Sequence, residues 1–157
     1  MTRRGPWYHV SWKGSEERSG GLATNIGIHM FDLLLWLFGP ASRVELHWKE
    51  PSRMAGFLEL ERADVRWLLS IDPNDLARLP GDEGRTSRRS ISIDGEELEF
   101  TEGFGDLHTM AYRSILDGHG PGVADARPSI ELVHAIRSAP VVRNRENEHS
   151  FLAALSD

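Results

Sequence analysis

The chain has no cysteine, which excludes disulfides, thiolate metal centres and cysteine nucleophiles together. Long apolar runs are missing as well. The longest, Met30 to Phe38, is interrupted by Asp32 and falls well short of the roughly 20 residues a membrane-spanning helix needs, so no membrane partner is expected. The first ten residues, MTRRGPWYHV, carry two arginines with no apolar segment behind them. They do not read as a secretion signal, and a cytoplasmic protein is the expectation. Basic charge is in deficit: 18 Lys and Arg against 24 Asp and Glu leave a formal net charge of −6, the wrong sign for a nucleic-acid surface. No G-x-G-x-x-G follows a strand pattern, and neither a Walker A loop nor a G-x-S-x-G elbow occurs. The sequence offers no dinucleotide site of its own.

What is present fits one domain over residues 1–157. A chain of 157 residues, 39% hydrophobic and 27% charged, is long enough to bury a core. Aromatic, β-prone Trp7–Trp12 predicts a short strand, and the polar, glycine-containing stretch after it a loop. From Ala23 to Phe38 the residues Ile26, Met30, Leu33, Leu34 and Leu37 recur at helical spacing, and Gly39-Pro40 ends the run. Alternation predicts strands at 42–49, 56–60 and 63–71, the last two closed as an antiparallel hairpin by a polar turn. Residues 72–86 read as a loop with one helical turn. Asp94-Gly95 suits a two-residue turn between strands at 87–93 and 97–101. A helix is expected at Leu107–Leu116, stopped by Gly118, and another from Pro128 to Ser138 after a loop. The fold class is therefore α+β, a mainly antiparallel open-faced sheet with helices on one side. Trp7, Trp12, Trp48 and Trp67 fall on predicted strands or strand ends, so a homo-oligomer is expected, with a second subunit covering the open sheet face.

The candidate chemistry gathers near residues 13–32. Asn25, His29 and Asp32 project from one side of the predicted helix. Imidazole is the side chain that changes charge nearest neutral pH and suits proton removal from a hydroxyl. On periodicity alone the spacing favours a core histidine bonded to backbone. Zinc would need three or four converging ligands, of which this helix supplies two, so no metal is expected. Lys13 and Arg18 bracket the loop before the helix and suit a phosphate or carboxylate, although Glu16 and Glu17 beside them suit an ordinary solvated loop. Trp7, Tyr8 and Trp12 could stack on a base or sugar, or pack in a core or interface.

The pattern Gly20-Gly21, Asn25, Gly27, His29, Asp32, then LLLWLFG, resembles the C-terminal domain of the Gfo/Idh/MocA oxidoreductases. The blocks MAGFLELERADVRWLLSIDPNDLARLP, RSISIDGEELEFTEGFGDLHT and DARPSIELVHAIRSA are similar to one subgroup, the UDP-N-acetylglucosaminuronate 3-dehydrogenases. The resemblance spans nearly the whole chain. It implies the fold of a glyceraldehyde-3-phosphate-dehydrogenase-like C-terminal domain, working beside an NAD-binding Rossmann domain absent from this chain. It implies NAD as cofactor, a nucleotide-sugar acid oxidised at its 3-hydroxyl in surface-polysaccharide (lipopolysaccharide) synthesis, and His29 as the catalytic proton acceptor. The family's lysine, in a Glu-Lys-Pro motif, has no counterpart here. Asn25 stands where the family more often has aspartate, and an amide can orient a ligand but cannot take a proton. Lys13, Arg18, Tyr8, Trp12, Asn25 and Asp32 are the expected substrate contacts. Without a Rossmann half, supplied by a separate subunit or lost by truncation, the chain is expected to be inactive. The alternatives are a domain of a free-sugar or inositol dehydrogenase of this family, and a non-catalytic interaction module.

Overall fold

Helices come first, then strands, then a mixture of both in the computed structural model, which describes residues 1–79, 81, 84–101 and 106–152. Two short helices, α1 (Pro6–Val10) and α2 (Glu16–Ser19), flank a 3-10 turn at Trp12–Gly14. A π-helical segment, Ala23–Gly27, runs directly into α3 (Ile28–Phe38). Three strands follow, β1 (Ala41–Lys49), β2 (Arg53–Leu60) and β3 (Ala63–Ser70). Then come α4 (Pro73–Ala77), the hairpin β4 (Ser90–Ile93) and β5 (Glu96–Glu99), α5 (Leu107–Leu116) and α6 (Val123–Ser138). The class is α+β. All ladders are antiparallel, but they form two sheets, β1-β2-β3 and β4-β5.

The register explains which face is covered. Val44, Leu46, Leu58, Val65, Trp67 and Leu69 share one face and pack under α3 and α6, which bring Phe31, Leu34, Leu132 and Ile136. Phe31 and Trp67 meet edge to face, their centroids 5.1 Å apart at 86°. Burial of each such large side chain is worth about 1.5–3 kcal/mol. The β2–β3 turn also caps α3: Arg62 N–H donates to Phe38 O (3.0 Å) and its guanidinium to Leu37 O (2.6 Å). Two carbonyls at that helix end thus gain donors, which fixes α3 against the sheet.

The other face carries Glu45, Phe57 and Arg66 as neighbours. Phe57 stays buried because guanidinium carbons of Arg43 and Arg66 lie 6.0 and 5.9 Å from its ring centroid. The chain's own C-terminal segment then crosses this face. Val142 N–H donates to Leu46 O (2.8 Å), Asn144 Nδ2 to Glu45 Oε2 (3.0 Å), and Arg66 to Glu146 O (3.2 Å). His47 Nε2 lies 3.0 Å from Glu45 Oε2. Its hydrogen bond, with those of Asn144 and the Arg43 charge, holds the Glu45 carboxyl below the usual range despite opposing desolvation.

Three expectations are corrected. Trp7–Trp12 is not a strand: Pro6 at the first helical position presets φ, and Ser11 N–H closes the turn on Trp7 O (3.0 Å). The last long helix begins at Val123 rather than at Pro128, because Asp125 Oδ2 accepts from Gly122 N–H (2.7 Å) and starts the helix a turn earlier. The tryptophans do not mark one bare sheet face. Trp7 and Trp12 sit on helical turns, and Trp67 faces the helices. The antiparallel hairpin at 63, the turn at Asp94-Gly95 (φ 51° and 89°) and the 107–116 helix are as expected. The glycine run at 102–105 lies outside the described residues. No helix among the described residues is long and apolar enough to cross a membrane.

Candidate functional site

Residues 5–32 build the site. Pro6 and Ser15 start two short helical turns, Ser15 Oγ accepting from Arg18 N–H at 3.3 Å. Gly20 (φ 80°) and Gly21 (φ 66°) then reverse the chain in left-handed conformations costly for other residues. The reversal sends the π-helical segment back past the loop it has just left. A Lys49–Glu16 ion pair (2.7 Å) ties that loop to β1, and the same ammonium donates to Arg137 O at the end of α6 (3.2 Å).

On the outer side of the loop the Lys13 ammonium lies 6.0 Å from the Trp7 ring centroid and 5.9 Å from that of Trp12. Both indoles are largely open, 53% and 56% exposed. An exposed cation between two exposed aromatic faces can stack on a planar or sugar ring and neutralise an anion attached to it. Arg18 is exposed on α2, and its guanidinium has no partner among the described residues. Tyr8 is placed differently. It is 4% exposed, part of the core, with Arg4 5.9 Å from its ring centroid. Burial pushes its phenol up, against the opposing Arg4 charge.

Asn25 lies within the π-helical segment and reaches into the loop. Its Nδ2 donates to Lys13 O (2.9 Å), Ser19 Oγ (2.6 Å) and Gly21 O (3.1 Å). Ser19 carries no motif of its own in the sequence beyond a hydroxyl beside two glycines before a helix. One turn further on, His29 is exposed and has no hydrogen-bond partner among the described residues. It is therefore not a core histidine bonded to backbone. Asp32, also exposed, follows on the same side of the helix. Lys13, Trp12 and Asn25 are brought together, His29 and Asp32 continue the same ridge, and Tyr8 is withdrawn into the core.

Among the described residues the site assembles neither a metal-ligand cluster nor a free glycine cradle for a dinucleotide. Among the described residues no three His, Asp or Glu side chains converge as metal ligands. The Gly20 and Gly21 amides, the donors a pyrophosphate would need, already donate to Glu16 O (3.0 Å) and Ser19 Oγ (3.2 Å). A dinucleotide would have to be held elsewhere.

Residues 1–64 match the family described as "Oxidoreductase family, C-terminal alpha/beta domain". Two solved structures of the WlbA (WbpB) dehydrogenase from Thermus thermophilus are similar across 96% of the chain. One, in complex with NAD and alpha-ketoglutarate, is 52% identical with a TM-score of 0.88. The other, in complex with NAD and UDP-GlcNAcA, is 51% identical with a TM-score of 0.89. The chain belongs to the Gfo/Idh/MocA oxidoreductase family. It corresponds to the family's C-terminal domain and spans about half, 49%, of the length of the WlbA chains it matches.

Proposed function

We propose that residues 1–157 form one substrate-binding and oligomerisation domain of an NAD-dependent oxidoreductase. Its substrate is a nucleotide-sugar acid, UDP-GlcNAcA, oxidised at the 3-hydroxyl in surface-polysaccharide synthesis. One observation carries the reading: an exposed His29, with no hydrogen-bond partner among the described residues, follows, on one helical run, the residue that grips the Lys13 loop. A ring base belongs where a hydroxyl must lose its proton, and an anion-binding aromatic surface belongs beside a nucleotide.

Each side chain has a share. His29 accepts the hydroxyl proton. Lys13 and Arg18 face the diphosphate and the carboxylate, and Trp7 and Trp12 offer stacking surfaces for base or sugar. Asp32 can accept a sugar hydroxyl, whereas buried Tyr8 supports the loop from below. NAD would supply the hydride acceptor and would be held outside these residues, on a Rossmann domain that belongs among the partners. Exposed Met110 (63%), Ile115 (54%) and Leu116 (86%) on α5 support assembly with that domain or with further copies. The acidic net charge and the soluble substrates support a cytoplasmic setting.

The test is a chimera joining this domain to the NAD-binding half of the Thermus thermophilus dehydrogenase. It should form NADH in a UDP-GlcNAcA-dependent way, and His29→Gln should lower the rate by about 10²–10⁴-fold, the usual worth of a positioned base. NADH formation unaffected by His29→Gln would overturn the assignment of His29. Turnover of a free sugar in place of UDP-GlcNAcA would overturn that of the substrate.

A further inference from the structure

We propose that Ser19 and Asn25 form a clasp that sets the Lys13 loop against the helix bearing His29, and that Asn25 acts as a hydrogen donor into that loop. Both are positioning residues. The inference rests on the reading above only where it assigns a ligand to the loop.

The chemistry of the acceptors carries it. Asn25 Nδ2 points at three oxygens, Lys13 O, Ser19 Oγ and Gly21 O, at 2.6–3.1 Å. Two are carbonyls and can only accept. The third is a hydroxyl: Ser19 Oγ lies 2.8 Å from Lys13 O and 2.8 Å from Ser15 O, and with its single proton on one of these carbonyls its lone pairs face Asn25 and the Gly21 N–H. The pocket is thus lined by acceptors. Turning the amide over would set Oδ1 against two carbonyl oxygens and pull the Ser19 proton away from its own carbonyl acceptors, so the network favours the amide as a donor. A carboxylate would be worse still, bringing a negative charge and no proton. That is a physical reason for an amide, and against an aspartate, at position 25.

The geometry is also economical. Lys13 and Asn25 are 12 residues apart, and Ser19 lies midway between them. The two left-handed glycines turn the chain so that Ser19 and Gly21 O come under the amide. One side chain therefore holds both ends of the loop that carries Lys13, Trp12 and Arg18.

The experiment compares Asn25→Asp, Asn25→Ala and Ser19→Ala in the 157-residue chain by amide hydrogen exchange, with UDP-GlcNAcA affinity measured in parallel. A role in volume alone predicts that the isosteric Asn25→Asp is the mildest change. The clasp predicts the reverse order: at neutral pH protection of residues 13–21 falls about tenfold in Asn25→Asp and less in Asn25→Ala, with α3 unchanged. Acidification that protonates the introduced carboxyl returns one donor, so part of the protection in Asn25→Asp recovers relative to wild type. Ser19→Ala loosens the same segment without that recovery. Unchanged protection in Asn25→Asp, or Asn25→Ala more exposed than Asn25→Asp, overturns the proposal. Loosening of the loop with unchanged affinity supports the clasp and instead contradicts the assignment of ligand contacts to the loop.

Discussion

Replacing Gly27 with alanine tests how closely the His29 helix is seated on the sheet. Gly27 has φ −69° and ψ −33°, ordinary right-handed values, so alanine meets no backbone strain and gains about 1 kcal/mol of helix propensity. Packing acts the other way. A Cβ there would lie 2.7 Å from Leu69 Cδ1 and 2.7 Å from Phe31 Cε2. Neither can retreat: Leu69 is buried on β3, and Phe31, 1% exposed, is held edge to face against Trp67. Overpacking of a tight site costs about 1–3 kcal/mol, and two simultaneous clashes place this one in the upper part of that range. After the propensity gain, Gly27→Ala should destabilise by about 1–2 kcal/mol, a fall in Tm of roughly 2–8 °C for a chain of this length. Thermal unfolding followed by circular dichroism measures it. In a Leu69→Ala background one clashing group is gone, so the same substitution should cost about 1 kcal/mol less, a coupling expected of touching side chains. A rise in Tm for Gly27→Ala alone would refute the reasoning, as would strict additivity of the two substitutions.

Other expectations concern stability and binding. Asp75 is fully buried and accepts from Arg53 Nη2 (2.8 Å) and Ser70 Oγ (2.6 Å), so Asp75→Asn should cost about 3 kcal/mol in urea denaturation. That is the low end for breaking a buried pair, because Arg53 keeps Asp72 at 2.6 Å. Burial alone would raise the Asp75 carboxyl, but the Arg53 and Ser70 hydrogen bonds and the Arg53 charge outweigh it and hold it below its usual value. Its contribution is therefore full above about pH 4 and lost as pH falls further, so the gap between wild type and Asp75→Asn should narrow in acid. His29→Gln should leave Tm within about 2 °C, since an exposed side chain with no partner among the described residues supports little; a large drop would return His29 to a packing role. Trp12→Ala should weaken UDP-GlcNAcA binding about tenfold by loss of a stacking face, with free GlcNAcA affinity as the control.

Elements with a strong period and a defined stop could be read directly from the residues. The 107–116 helix ends at Gly118 with φ 78°, and Asp94-Gly95 makes the turn its residue types favour. Composition misled where chain geometry overrode it: aromatic Trp7–Trp12 reads as strand, yet Pro6 sets a helical turn. Pro128 reads as a helix start, yet the acceptor on Asp125 starts the helix earlier. Periodicity found the ridge of Asn25, His29 and Asp32 but could not say whether His29 faced core or solvent, because its apolar neighbours occupy both sides of that choice. Contacts across long separations left no local trace. The Ser19–Asn25 bonds and the C-terminal segment lying over Glu45 and Arg66 depend on where the chain returns, and that is set by packing.

Calorimetric titration of UDP-GlcNAcA into the purified chain, with Lys13→Ala and His29→Ala alongside, tests the central claim most directly. The account predicts saturable one-to-one binding, weakened in both variants at unchanged Tm, and no binding of NAD. A chain that binds NAD but not the nucleotide sugar, or binds the nucleotide sugar equally well without Lys13 and His29, would contradict it.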